Sequence, residues 1–135
     1  MAKFISIESF SVPQAITETS TTQNLTLGTI IQAKDVDSTS YGVGEFIYLK
    51  GLASTAIGEP EIYDLDATTS TRVVAGSRGN IAFAMSANVA NQFGWYQIAG
   101  TAVAKTGTVV AGARPYATAT AGSIDDAVVA GDAID

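Results

Sequence analysis

Apolar and polar residues alternate with a period of two along much of this chain, the pattern of strands that bury one face. "KFISIESF", residues 3–10, sets Phe4, Ser6 and Glu8 against Ile5, Ile7 and Ser9. "LTLGTIIQAKDVD" predicts a strand carrying Leu25, Leu27, Ile30 and Ile31, with a kink or bulge at Gly28. In "EFIYLKG", Phe46, Tyr48 and Lys50 alternate with Ile47 and Leu49 up to a stop at Gly51. "EIYDLDATTSTRVVAGSRGN" reads as a hairpin or meander with turns at "DATTST" and "GSRGN". "IAFAMSA" has a bulky face of Ile81, Phe83 and Met85 and a small face of Ala82, Ala84 and Ser86. "GWYQIAGTAVAK" predicts a long strand interrupted at Gly100, and "TGTVV", "PYATATAG" and "SIDDAVVAGDAID" supply shorter extended pieces. Alanine leaves "NVANQ" and "DDAVVA" open to a short helical turn each. No window carries a capped stripe of helical period. The pattern predicts an all-β fold, a small β-sandwich or compact β-barrel.

The same pattern divides the chain. "TETSTTQN", residues 17–24, is rich in hydroxyls and has no apolar anchor, which marks a loop. The expected division is an extended N-terminal arm over residues 1–20 and a single β-rich body over residues 21–135. Phe4, Ile5, Ile7 and Phe10 would be the arm's contacts with a neighbouring molecule. Within the body, Phe83 and Trp95 are the expected core anchors. Hydrophobic residues make up 47% of the chain, but alanine and valine dominate them. Each buries little area, so the core is thin and gains from a neighbouring subunit.

Composition narrows the chemistry. The chain has neither histidine nor cysteine, which removes the commonest general base, thiolate nucleophiles and cysteine-based metal sites. The net charge of −6 disfavours nucleic acid, and Lys3, Lys34, Lys50, Arg72, Arg78, Lys105 and Arg114 are too scattered to form a basic stripe. No apolar run approaches the ~18 residues that span a bilayer. The N-terminus lacks the continuous apolar stretch of a signal peptide.

The remaining candidates are weighed against plainer readings. Asp35, Asp37 and Thr39 in "DVDSTS" resemble the start of a calcium loop, but Ser40 and Phe46 stand where glycine and a bidentate glutamate are needed. A solvated turn is the better reading. Glu59, Glu61, Asp64 and Asp66 bring carboxylates together, Glu59 and Glu61 on one strand face and the aspartates on the other. A charged edge strand accounts for them more simply than glycoside hydrolysis, which needs a cleft. Nothing selects a Ser86–Lys105 dyad over other serines. Phe93 and Trp95 share a face and could stack a sugar, or share the core; Tyr96 must point the other way. No catalytic, metal or cofactor site is expected, and the protein is not read as an enzyme.

Three stretches carry a resemblance: "GEFIYLKGLAST", "NIAFAMSANVANQFGWYQIAGTAVAK" and "PYATATAGSIDDAVVAGDAI". Together they resemble the small capsid decoration (cement) proteins of tailed bacteriophages, over roughly residues 25 to 134. "FGWYQI" and the terminal "DDAVVAGD" are the most specific parts. The resemblance implies a mostly β virion protein assembled in the bacterial cytoplasm and bound to the outer face of the head. It would bridge major capsid protein subunits as a dimer or trimer, with no nucleic-acid, membrane or cofactor partner. The alternative is a carbohydrate- or host-surface-binding module displayed on the virion.

Overall fold

A computed structural model describes residues 3–8, 12–66, 69–107, 109–126 and 134. The fold is all-β. Its strands are β1 (Phe4–Ser6), β2 (Ile30–Asp35), β3 (Val43–Lys50), β4 (Pro60–Asp64), β5 (Thr69–Arg72), β6 (Asn80–Ala84), β7 (Phe93–Ala99), β8 (Tyr116–Ala117) and β9 (Ile124–Asp125). The first seven form one antiparallel sheet in the order β1-β2-β3-β7-β6-β4-β5, and β8 and β9 form a separate two-stranded ribbon. The large sheet is open, with β1 and β5 at its edges, so the barrel closure that the strand spacing allowed does not occur.

Period two sets which face each side chain takes, and the central strands bury both faces. Phe46 and Tyr48 of β3 join Trp95 of β7, Ile31 and Ala33 of β2 and Phe4 of β1 in one core. Ile16 and Met85 complete it, with Val12, Leu25 and Leu27 packed alongside. Ile47 and Leu49 point the other way, into a second core with Tyr96, Ala82 and Ala84. The adjacent aromatics Trp95 and Tyr96 therefore anchor opposite faces, as strand geometry requires.

Glycines end the strands where a side chain would not fit. Gly28 and Gly100 have φ of 88° and 94°, a left-handed conformation open to glycine without strain. The first turns the chain into β2 and the second terminates β7. "NVANQ" forms turns rather than a helix, because Asn88 is drawn in to bond the second core.

The described part of the expected arm does not stand clear of the body. Residues 4–6 pair with Asp35, Lys34 and Ala33. Residues 12–20 then cross the first core, where Gln14 and Ile16 are buried. Hydroxyl-rich "TETSTTQN" is indeed irregular, but Ser20 exchanges two backbone hydrogen bonds with Phe93 at 3.0 and 2.8 Å and ties it to the sheet.

Candidate functional site

The strongest concentration of polar chemistry is buried against the second core. β4 is not an edge strand: it lies between β5 and β6, and Glu61 and Glu59 are 0% and 1% exposed. The charged-edge reading of "EPEIYDLD" is thereby corrected. Glu59 and Glu61 do share a face, as their spacing predicts, but it is the inner one. Asp64 is exposed, and its carboxylate accepts the Asp66 N–H at 2.8 Å.

Each buried carboxylate has its own compensation. The Arg72 guanidinium on β5 pairs with Glu59 Oε1, and Lys105 Nζ approaches Oε2 at 4.0 Å. Gly122 passes so close that a Cβ there would lie 2.6 Å from the Glu59 side chain. Glu61 Oε2 accepts the Ser70 hydroxyl at 2.7 Å. The Thr55 hydroxyl lies 2.8 Å from the Leu52 carbonyl and 3.3 Å from Glu61 Oε1 and can donate its one proton to either.

Burial pushes the Glu61 carboxyl above its ordinary range; the Ser70 hydroxyl opposes the rise and the charge on Glu59 adds to it. Burial, then the nearby Glu61 charge, likewise raises the Tyr96 phenol. The Tyr96 oxygen accepts from Asn88 Nδ2 at 3.1 Å. These groups form a largely buried network joining β4, β5, β7 and the 52–59 segment.

The sign of the pH effect follows. Because the folded-state pKa of Glu61 is raised, its stabilising contribution is fully present below the unfolded carboxyl value near 4.5 and is lost as pH rises through the folded value. Glu61→Gln keeps the shape, donates to Thr55 and still accepts from Ser70. It is expected to raise stability at neutral pH by roughly 1 kcal/mol or more and to flatten the dependence across the acid range. Urea titrations at several pH values check this; unchanged midpoints would contradict it.

The other candidates separate. Trp95 is fully buried beneath residues 12–16; its Nε1–H donates to the Gln14 carbonyl at 3.0 Å, and its ring lies 5.0 Å from that of Tyr48. Phe93 is half-buried and stacks on Tyr48 with centroids 6.5 Å apart. Trp95 thus presents no open face to a sugar. Phe83 is also only half-buried and belongs to neither core. β6 turns its alanine face inward because Ala84 lies opposite Tyr96, whose ring occupies the space that small residues leave.

Ser86 Oγ is buried without a hydrogen-bond partner, so no base activates it, while Lys105 turns toward Glu59. The Asp35 carboxylate accepts from the Asp37 and Ser38 N–H groups and the Ser38 hydroxyl, a closed turn, and the hydroxyl leads the lowering of its pKa. Among the described residues no group of three potential ligands could hold a metal ion.

A different kind of site lies at the β1 end of the sheet. Phe4 turns into the first core and packs edge-on against Phe46 at 4.9 Å. Ile5 and Ile7 turn outward and are 50% and 52% exposed. Phe10 falls outside the described residues. Among the described residues β1 pairs along one edge only: the Ile7 N–H reaches the Gln32 carbonyl and the Lys3 carbonyl takes the Val36 N–H. Alternation then points the N–H groups of Phe4 and Ser6 away from β2. Beside this open edge runs a groove of about 370 Å³, lined by Lys3–Ser6, Val12, Gln14–Ile16 and Ile31.

Sequence reasoning missed Gln14, Thr55, Ser70, Arg72 and Asn88 as network residues. Each is polar in a turn or short strand, and only the fold brings it to its partner. Comparisons of the chain with protein-family models, with curated proteins and with solved structures find no match.

Proposed function

We propose that this protein is a structural virion component, a capsid decoration protein that docks on the outer face of a phage head and ties major capsid protein subunits together. The observation that carries this reading is the open β1 edge with its adjoining groove. An unpaired edge is a template for strand addition, in which main-chain hydrogen bonds supply affinity and alternate side chains supply specificity. An extended segment of a capsid subunit would pair with the outward groups of Phe4 and Ser6 and lie in the groove against Val12 and Ala15. Repetition over a symmetric shell turns modest single contacts into firm attachment. In this role the large sheet and its covering segments work as a sandwich-like plate. The resemblance of "FGWYQI" and "DDAVVAGD" to decoration proteins points the same way.

Ser6→Pro tests the docking. Proline removes an outward N–H and is tolerated where an edge faces solvent. The variant is expected to stay folded, while co-sedimentation with empty tailed-phage heads that bind the unaltered chain falls by about tenfold or more, the effect of losing roughly 1.4 kcal/mol. Ser6→Ala is the control, since it lacks the Ser6 hydroxyl bond to the Glu8 N–H but keeps the edge. Equal binding by Ser6→Pro, or no binding by the unaltered chain, overturns the proposal.

A further inference from the structure

The two aspartates of "EPEIYDLD" take no part in the buried network and face solvent instead. Along the β4–β5 hairpin, Ile62 pairs with Thr71 and Asp64 with Thr69. Strand alternation turns these residues away from Glu61 and the second core. Asp66, just past β4, and Arg78, on the turn before β6, join them along one wall. The cleft between has a volume of about 640 Å³. Small-molecule sites usually enclose ~300–1,000 Å³.

A glycine lets the cleft form. Gly79 has a φ of 137°, and a Cβ on it would lie 2.6 Å from Ile62 Cγ2. Only a residue without a side chain brings the turn this close to the hairpin at that backbone angle. The turn is itself fixed: the Ser77 N–H donates to the Val74 carbonyl and the Val74 N–H to the Ser77 hydroxyl, both at 2.9 Å. Arg78 Nη1 donates to the Ser77 carbonyl at 2.8 Å, and the Asp64 carboxylate accepts the Asp66 N–H. These bonds place the guanidinium and the carboxylate before any ligand arrives.

The lining selects the ligand. Asp64 and Asp66 accept hydrogen bonds, Arg78 donates them, and the Thr69 and Thr71 hydroxyls do both. A phosphate or other anion meets two carboxylates here, and a polyamine or other cation meets the guanidinium. An apolar ligand would strip water from these side chains and return no hydrogen bond. A neutral molecule with many hydroxyls satisfies them all, since each hydroxyl both donates and accepts. Ile62, half-buried in the lining, offers an apolar contact for the C–H face of a sugar ring. We propose that this cleft binds a neutral saccharide. It is a different place from Phe93 and Trp95, and β1 lies at the opposite edge of the sheet from β5. The binding belongs to the isolated chain and does not rest on docking to a shell.

Amide chemical shifts of the isotope-labelled chain, followed during titration with glucose, galactose, N-acetylglucosamine, maltose and lactose, test the proposal. At least one saccharide is expected to give saturable shifts centred on residues 62–66, 69–71 and 78–80. Asp66→Ala and Arg78→Ala, both at exposed positions, should each weaken that binding by about tenfold, because each removes a charged hydrogen-bonding group. Asp37→Ala, in a separate exposed turn, should bind as the unaltered chain does. Inorganic phosphate and spermidine should bind more weakly than the best saccharide. No saturable shift with any of the saccharides, shifts centred elsewhere, tighter binding of either ion, or saccharide binding untouched by both cleft variants overturns the proposal. No phage heads enter this measurement, so its failure and failure of the β1 docking are read separately.

Discussion

Arg72→Ala is expected to lower the unfolding free energy by about 3–5 kcal/mol, because it leaves the Glu59 carboxylate buried without its main counter-charge. Glu59 has a side chain 2% exposed, and its other cation, Lys105, is 44% exposed and 4.0 Å away. An exposed, distant ammonium is screened by solvent and replaces little of the lost interaction. Arg72 also donates to the Ala53 carbonyl, so it holds the edge strand β5 and the 52–59 segment to the same point. The midpoint of thermal unfolding should fall by roughly 10–15 °C. Adding Glu59→Gln to Arg72→Ala removes the stranded charge and should recover much of the loss. A double-mutant cycle by chemical denaturation measures both steps. If Arg72→Ala alone shifts the midpoint by no more than an ordinary surface substitution, the buried pair does not hold this corner of the fold.

What the sequence makes legible here is periodicity. The strands at "EFIYLKG" and "IAFAMSA" and the hairpin of "EIYDLDATTSTR" follow from alternation and turn residues, and β3–β6 occur there; of the long strand expected over "GWYQIAGTAVAK" only the part before Gly100 forms, as β7, which ends at Ala99. Alternation also assigns Trp95 and Tyr96 to opposite faces. It does not say which faces are covered. Glu59 and Glu61 look like surface residues because nothing nearby in sequence pairs with them; their partners Arg72 and Ser70 arrive only when β5 folds back along β4. Phe83 looks like a core anchor by size, yet it lies opposite Gln97, half-buried, and joins neither core. At residues 1–20 the alternating pattern correctly marks β1, but local polarity hides how the following segment covers Trp95. The outward turn of Ile5 and Ile7, in contrast, is set by the same alternation that buries Phe4. The polar networks and the open edge are products of long-range pairing, to which a local pattern is blind.

Deleting residues 1–20 is expected to abolish cooperative unfolding, since this segment is part of the core. Gln14 is the centre of the argument. Its carbonyl accepts the Trp95 indole N–H at 3.0 Å, and its side-chain oxygen accepts the Tyr48 hydroxyl at 2.6 Å and Asn24 Nδ2 at 3.0 Å. Its side-chain nitrogen donates to the carbonyls of Phe93 and Glu18 at 2.8 and 2.9 Å. Removing it leaves the Trp95 and Tyr48 donors without these partners, and each buried group left unpaired costs about 1–3 kcal/mol. The deletion also strips Phe4 and Ile16 from the first core, and losses of this size cost about 2–5 kcal/mol per side chain. The sum rivals the roughly 5–15 kcal/mol that holds a typical domain together. As the only tryptophan, Trp95 reports the outcome directly. Its emission should shift to the red and its near-ultraviolet circular dichroism should collapse in the truncated chain. Gln14→Ala, which keeps the backbone carbonyl, should give a milder loss of about 2–4 kcal/mol with cooperative unfolding retained. A truncated chain with blue emission and a sharp transition would mean that residues 1–20 are a detachable arm after all.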